Sequence, residues 1–461
     1  MATFFFCGIG GIGMSAIALY LKKAGHTVLG SDRSFDNNKP NAVKSSLCNN
    51  HIQLVPQTGE YVTKDIDFFI VSSAVEPTIP DVKKALELNI KIMKRAEILA
   101  EIFHKHTGIA IAGTSGKTTV TAMVGHILSV MKKNPTMING GISLNTYNGE
   151  NESNLIYGDS NLCVIEADES DGSIALYTPH IGILTNISLD HKPIEETLPL
   201  FESFLNRCHI GGVINMDCKY TSDLNLTQKN IISFSVENHP QATLNPQHIC
   251  FATNGISFNL NGKNHTLPFI GKHNLENALA ATAACMLLNI SPEDCLSALK
   301  SFKGTKRRLQ TVGITHNITI IDDYGHNTEK IKASLQALQL HQGRIFAVYQ
   351  PHGFAPMRMM KTELTEMLKQ QLDDRTYWIM PDIYYAGGTV TKDVSSNDVV
   401  EPLKKVGKNA FYIPERTDIQ NFLLTHVQSG DFIVIMGARD DTLTHFAHQI
   451  LNSIKEKKCL E

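Results

Sequence analysis

Several features are missing from this chain of 461 residues, and each absence excludes something. Its nine cysteines, at 7, 48, 163, 208, 218, 250, 285, 295 and 459, contain no Cys-x-x-Cys pair and are odd in number. A disulfide frame or a zinc site is therefore not expected; reduced, mostly buried thiols in a cytosolic protein are. No apolar run reaches ~18 residues, so no membrane-spanning helix is expected. Met1-Ala-Thr-Phe-Phe-Phe-Cys7 runs straight into a glycine motif, without the charged region and cleavage site of a signal peptide. Basic residues are not in excess, with 42 Lys and Arg against 45 Asp and Glu and a net charge of -3. A nucleic-acid surface is not expected, and polyanion binding must be local. Internal repeats, heptad runs and low-complexity segments are also lacking.

What remains is a globular composition, 42% apolar and 19% charged, long enough for about three domains. The chain is read around Ile111-Ala-Gly-Thr-Ser-Gly-Lys-Thr-Thr119, which follows an apolar strand-like run and opens a helix-like one. Backbone amides of Gly113, Thr114, Ser115 and Gly116, the helix N-terminus and the Lys117 ammonium would converge there on a polyphosphate. The Thr118 hydroxyl would reach a bound magnesium, and Thr119 continues the turn. The first glycine of the general phosphate-loop pattern is absent, since Ile111 stands in its place. An ordinary βα turn with a surface lysine is the plain alternative.

A second glycine turn lies nearer the N-terminus. Phe4 to Cys7 reads as a buried strand, then come Gly8-Ile-Gly10-Gly11-Ile-Gly13 and a helical pattern from Met14 to Lys23. The next strand ends at Gly30-Ser31-Asp32, an acid about 20 residues after the glycines, where a ribose or nucleotide hydroxyl would lie. Alone, this motif suggests a dinucleotide, and hence a nicotinamide-dependent oxidoreductase. That class leaves Gly-Lys-Thr-Thr and its carboxylates unexplained.

Carboxylates follow the cradle at the end of a strand, in Glu166-Ala-Asp-Glu-Ser-Asp171, where magnesium for phosphoryl transfer is usually held. A solvated acidic loop would read the same way. Ile181 to Thr185 delivers Asn186-Ile-Ser-Leu-Asp190-His191 to the same edge of the expected parallel sheet, although His191 could simply cap the helix from Glu195. Gly271-Lys-His273-Asn274-Leu-Glu-Asn277 opens an Ala-rich helix that reads equally well as helix packing. After Arg307-Arg308 strands and helices alternate to the end, beginning with Ile318 to Ile321 and Asp322-Asp323-Tyr-Gly-His326. The expected fold is α/β in three domains: a Rossmann-like domain at 1–104, a central phosphate-loop ATPase domain with a parallel sheet at 105–306, and a Rossmann-like α/β domain at 307–461.

In this order the motifs resemble those of the Mur ligase family, ATP-dependent amide-forming ligases of peptidoglycan synthesis. The marks are Gly8-Ile-Gly-Gly-Ile-Gly-Met14-Ser15, Gly-Thr-Ser-Gly-Lys-Thr-Thr at 113–119, Glu-Ala-Asp-Glu-Ser-Asp at 166–171, Asn186 with Asp190-His191, Gly-Lys-His-Asn-x-x-Asn at 271–277, Arg307-Arg308 and Asp-Asp-Tyr-Gly-His at 322–326. The match runs through all three domains.

The resemblance implies ATP and magnesium as cofactors. It implies UDP-N-acetylmuramate as one partner and an amino acid, L-alanine favoured, or a preformed peptide as the other. The first turn, with Gly8, Gly10, Gly11, Gly13, Met14, Ser15, Ser31 and Asp32, would then bind UDP-sugar in place of a nicotinamide cofactor. Lys117, Glu166 and His191 would be catalytic, with Thr118, Glu166 and His191 on magnesium. His273, Asn274 and Asn277 would lie at the adenine, and Arg307 and Asp323 at the ribose and phosphates. A silent UDP-sugar sensor would have no need for Lys117, Glu166 and His191 together.

The acceptor region departs from the family pattern. Alanine-adding members typically read Asp-Asp-Tyr-Gly-His-His-Pro and Gln-Pro-His-Arg-Tyr-Thr-Arg, with two arginines near the amino acid's carboxylate. Here the stretches are Asp-Asp-Tyr-Gly-His326-Asn327-Thr328 and Gln350-Pro-His352-Gly353-Phe354-Ala-Pro356. Losing a bidentate arginine would cost about 2 kcal/mol of binding. His326, His352 and Arg358 are the expected acceptor residues, with Arg439 a further candidate, and the smaller Gly353 and Pro356 would leave room for a peptide. Ser115 also stands where relatives usually carry His.

Overall fold

A computed structural model describes residues 1–35, 42–72, 75–146, 154–188, 193–252, 255–385, 391–438, 440 and 442–458. His191 and Arg439 lie outside the described residues. The chain divides into two compact units: residues 1–248, 258–267 and 275–305, and residues 249–257, 268–274 and 306–461.

The first unit holds two parallel-dominated sheets. In the first, the strand order is Gln53–Val55, Thr27–Ser31, Thr3–Cys7, Phe68–Val71 and Lys91–Lys94, all parallel. Thr3–Cys7 is central, and Phe5, Phe6 and Cys7 are fully buried, which is why this strand reads as a continuous apolar run and not as an alternating one. Its chain turns at Gly8, at φ +84°, into the helix Ile12–Lys23. The helix exposes Lys23 and its C-cap Ala24 at its end and buries Met14, Ile17, Leu19 and Leu21 against the sheet.

The second sheet runs Ile231–Phe234, Gly211–Asn215, Ile181–Leu184, Thr107–Ala112, Leu162–Glu166, Thr136–Ile138 and Leu155–Ile156, antiparallel only at the last pair. Thr107–Ala112 lies between Ile181–Leu184 and Leu162–Glu166, pairing Ala112 with Leu184 and Ile111 with Glu166. The C-terminal ends of three neighbouring strands therefore meet at one edge, as a doubly wound sheet requires of its ligand site. The helix Lys117–Val130 begins three residues earlier than its apolar pattern, because Lys117, Thr118 and Thr119 already belong to its first turn.

In the second unit the order is Gln310–Thr315, Ile318–Asp323, Phe432–Met436, Ile345–Tyr349, Thr376–Met380 and Ala410–Tyr412. Only the first pair is antiparallel. Helices Thr328–Gln339, Phe354–Gln371, Asn397–Lys405, Arg416–His426 and Thr442–Lys458 alternate with these strands. No helix among the described residues is long and apolar enough to cross a membrane. Of the described cysteines, Cys7, Cys163, Cys208, Cys285 and Cys295 are buried and all are free thiols.

Candidate active site

The cradle is shaped by two glycines that no other residue could replace without movement. Gly113 has φ +125°, and a Cβ there would overlap Thr185 Oγ1 and lie 2.9 Å from the Asn186 carbonyl oxygen. Gly116 has φ +87°, and its Cβ would lie 2.5 Å from Asn277 Oδ1. Asn277, expected at the adenine, is thus brought onto the cradle, through a close approach of its side chain to the backbone. Thr185 and Asn186 clasp the turn from the neighbouring strand end. Thr185 Oγ1 donates to the Ser115 carbonyl at 2.6 Å, Asn186 Nδ2 donates to the same oxygen at 3.0 Å, and Asn186 Oδ1 accepts from the Ser115 amide at 2.9 Å. Thr114 Oγ1 accepts from the Ser188 amide at 3.0 Å. Gly116, at the N-cap, offers no side-chain cap, so the first helical amides depend on partners from outside the helix.

Lys117 lies back over this turn. Its Nζ donates to the Gly113 carbonyl at 2.7 Å and to Glu169 Oε2 at 2.8 Å, with Asp168 Oδ1 at 3.9 Å. One residue on, Thr118 Oγ1 donates to Glu166 Oε2 at 3.1 Å, and the other Glu166 oxygen accepts from the Gly140 amide at 2.5 Å. Glu166 and Thr118 are thus adjacent oxygen donors of the kind a hard divalent cation takes. No cluster of three or more His, Cys, Asp and Glu side chains able to hold a metal occurs among the described residues. Burial raises the Asp168 carboxyl, but Lys117, the Ser170 backbone and side chain and Arg95 together hold it below its usual value. The helix after His191 starts at Ile194 with Pro193 at its N-cap position.

In the N-terminal turn, the Gly8 and Ile9 amides donate to the Ser31 carbonyl at 2.8 and 3.1 Å. Asp32 is drawn into the turn: its Oδ2 accepts from the Gly10 amide at 2.8 Å and its Oδ1 from Ser34. Gly11 is the N-cap of the following helix, and Gly13 lies in its first turn. Three of the expected side chains point elsewhere. Ser31 is fully buried and donates to Asp81 Oδ2 at 2.5 Å. Met14 packs in the core, and buried Ser15 donates to the Ile12 carbonyl at 2.9 Å. These residues shape the turn from behind, because a helix packed on a sheet must bury one face.

The second unit holds His273, Asn274, Arg307, Asp323, His326, His352 and Arg358. Asn274 Nδ2 donates to the Ile270 carbonyl at 2.9 Å. His273 has its pKa lowered by burial, with Asp323 opposing. Arg307 was expected at the nucleotide but is turned inward: it is 8% exposed, its Nε lies 3.3 Å from Asp322 Oδ1, and its Nη2 donates to the Gly437 carbonyl at 2.7 Å. Asp323 accepts from the Leu309 and Gly325 amides and from Ser334 Oγ.

His326 and His352 do come together, with ring centroids 5.8 Å apart. Burial, then the Lys330 charge, moves the His326 pKa down to about 4 against the opposing Tyr324 carbonyl. Arg358, by contrast, is committed to Asp393, with its Nε 3.1 Å from each carboxylate oxygen, and to the Thr391 carbonyl. Gly353 has φ +75° and ψ 139°, a conformation that an arginine would adopt only under strain. The departure there is therefore one of backbone as well as side chain.

Two residues were not singled out in the sequence. Glu169 was read only as part of an acidic run, yet it is the carboxylate closest to Lys117. Arg95, at the end of Lys91–Lys94, lies at Gly13 and pairs with Asp171 at 3.3 Å. Its position just beyond the C-terminal end of a parallel strand was the available signal.

Comparison with known proteins gives these features a family. The family model described as "Mur ligase family, catalytic domain" matches residues 3–107, "Mur ligase middle domain" matches 111–285, and "Mur ligase, glutamate ligase domain" matches 307–439. The UDP-N-acetylmuramate–L-alanine ligase of Lachnospira eligens is 33% identical, with 94% of this chain and 95% of that protein covered. The protein of the same name from Acaryochloris marina is 30% identical over 96% of this chain and 95% of its own. Among solved structures, the UDP-N-acetylmuramate-alanine ligase of Thermotoga maritima superposes with a TM-score of 0.79 at 25% identity, covering 99% of this chain and 100% of that one. With all three domain models matched in order and relatives of this identity spanning nearly its whole length, the chain belongs to the Mur ligase family.

Proposed function

We propose that this chain is an ATP-dependent, ADP-forming ligase that joins the carboxylate of UDP-N-acetylmuramate to the amino group of L-alanine, in the cytoplasm, for peptidoglycan synthesis. The observation that carries this reading is the pairing of Lys117 with Glu169 and of Thr118 with Glu166 on one helical turn. The names and near-complete coverage of the relatives at 30–33% identity supply the substrates.

In the first half-reaction the muramyl carboxylate attacks the γ-phosphorus of ATP, ADP leaves, and an acyl phosphate forms. In the second the amine attacks the acyl carbon, phosphate leaves, and the nitrogen loses its proton. Two anions must meet in the first step, and the protein's work is positioning and neutralisation. Lys117 exchanges Glu169 for the phosphates, while the uncapped helix amides direct their partial positive charge at the same oxygens. Thr118 and Glu166 fit magnesium, an oxygen-seeking cation, with His191 as a further candidate on the strength of the family resemblance. When bound there it would neutralise charge on the phosphate oxygens.

In the second unit, His326 Nδ1 lies 2.9 Å from the Tyr324 carbonyl. That contact favours the Nδ1–H tautomer and leaves Nε2 as an acceptor for an incoming amine. A pKa near 4 keeps the ring neutral, so this is orientation and not strong base catalysis.

A second acceptor, a preformed L-Ala-D-Glu-containing peptide, is favoured by one observation: the backbone at Gly353 is unsuited to the arginine that grips a small amino acid's carboxylate. The nicotinamide reading of the first turn has no use for Lys117, Thr118 and Glu166. Phosphate release from ATP with magnesium and UDP-N-acetylmuramate, adding in turn L-alanine, glycine, L-serine and an L-alanyl-D-glutamyl tripeptide, tests the proposal, with products identified by mass. Stimulation by L-alanine supports it, stimulation by the peptide alone moves it to the second acceptor, and stimulation by none overturns it.

A further inference from the structure

Arg95 is the first residue of the helix Arg95–Phe103, directly after the edge strand Lys91–Lys94. A Cβ placed on Gly13 would lie 3.2 Å from Arg95 Cδ and 3.2 Å from its Nη1, so the arginine lies against the first turn of the helix that follows the N-terminal glycines. Glycine at 13 makes room for it. From there Nη2 reaches Asp171 Oδ2 at 3.3 Å, and Asp171 Oδ1 accepts from the Ser173 amide at 2.9 Å. Asp171 ends the acidic run that also carries Glu166, Asp168 and Glu169. A single guanidinium therefore touches both the glycine turn of the first sheet and the acidic loop of the second.

We infer that Arg95 is a binding residue for the diphosphate of the nucleotide-sugar substrate, and that Asp171 is the positioning residue that aims its guanidinium across Gly13. The inference rests on the proposed function. An arginine fork has five donors in one plane, and Asp171 takes one of them at Nη2 while Nη1 faces the turn. The partly exposed ion pair adds little to stability, with side-chain exposures of 31% and 39%. It does hold a long side chain at the mouth of a turn whose Gly10 amide is already taken by Asp32. The turn's backbone thus lacks one of its donors for an anion, and Arg95 sets a full positive charge against it.

The test is direct binding of UDP-N-acetylmuramate by calorimetry to the wild-type chain and to Arg95→Ala, Arg95→Lys, Asp171→Ala and the Arg95→Ala/Asp171→Ala double variant, with ATP binding measured alongside. Arg95→Ala is expected to raise Kd for the sugar nucleotide at least tenfold, with Arg95→Lys recovering part of the loss and ATP affinity unchanged within twofold. Asp171→Ala is expected to raise Kd about threefold, and the double variant to match Arg95→Ala alone, since a positioning residue has no effect once its target is gone. The wild-type affinity should fall more steeply with salt than that of Arg95→Ala.

Unchanged sugar-nucleotide affinity in Arg95→Ala, with an equal drop in Tm for both single variants, would reduce the pair to a structural tie and overturn the inference. A wild-type chain that does not bind the sugar nucleotide would instead bring down the functional proposal itself.

Discussion

In the turn after Thr3–Cys7 the Gly10 amide is held by the Asp32 carboxylate at 2.8 Å, whereas in the turn after Thr107–Ala112 the Ser115 amide is held by the neutral side chain of Asn186 at 2.9 Å. Both are strand–glycine–helix turns on a parallel sheet, and in both the holding group comes from the end of the neighbouring strand or just beyond it. The charge of that group is what differs. A carboxylate at the first turn disfavours a second anion close by and suits hydroxyl donors, so a diphosphate there needs an added cation. The neutral clasp of the second turn leaves the Lys117 charge to be balanced by Glu169, which a polyphosphate can replace. Turn geometry alone does not choose between a nucleotide's sugar and its phosphates; the residue across the strand does.

The largest expected effect separates the two turns by backbone. Gly113→Ala places a Cβ at φ +125° against Thr185 Oγ1 and the Asn186 backbone, and should destabilise the chain by about 3 kcal/mol. Gly10→Ala meets side chains first, those of Asp32 and Phe35 at 2.8 Å each, and should cost about 1 kcal/mol as these shift. Urea unfolding of both variants checks the order, and a costlier Gly10→Ala would mean that the N-terminal turn is the more rigid one.

Function should separate them as cleanly. Lys117→Ala is expected to slow ATP turnover by about 10²–10³-fold, leaving Glu169 without its cation, while the affinity for UDP-N-acetylmuramate stays within twofold. Asp32→Asn keeps the shape of the group that holds the Gly10 amide but removes its charge. It should weaken the sugar nucleotide about tenfold, with the KM for ATP unchanged. Calorimetry with each nucleotide distinguishes these outcomes, and a variant that weakened both ligands equally would break the division between the turns.

Much of this was legible because buried parallel strands announce themselves. Ile109, Ala110, Ile111 and Ala112 are all fully buried, and such a run followed by Gly, Lys and Thr marks the cradle whatever surrounds it. The convergence of Glu166 and Asn186 on that edge followed from the topology rule for ligands at strand ends. Side-chain direction was not legible. Ser31 and Arg307 carry the right chemistry at the right sequence positions but turn to buried Asp81 and Asp322, acids 50 and 15 residues away. Nor could the motif spacing reveal that Gly353 has a positive φ, since a glycine in place of an arginine reads first as a missing charge. Arg95 was hidden for a similar reason: its partners, Gly13 and Asp171, lie far from it in sequence, in a helix and a loop that follow strands of two different sheets.

The smallest effect expected at the cradle is a pH dependence of stability. Burial raises the Asp168 carboxyl, but Lys117 at 3.9 Å, Ser170 and Arg95 together bring it below the ordinary 3.8. Between the lowered folded value and 3.8 the unfolded chain binds more protons, so the contribution is present above pH 3.8 and is lost as the pH falls through the folded value. Because the Asp168 side chain is 41% exposed, solvent screening holds this contribution to about 0.5 kcal/mol or less. In Lys117→Ala the largest lowering influence disappears, so the folded pKa rises toward the unfolded one. The slope contributed by this group then shrinks. Urea midpoints for the wild type and Lys117→Ala measured at close intervals from pH 5 to pH 3 should therefore converge as the pH falls, and parallel curves would show that the Lys117 charge does not hold the Asp168 carboxyl down.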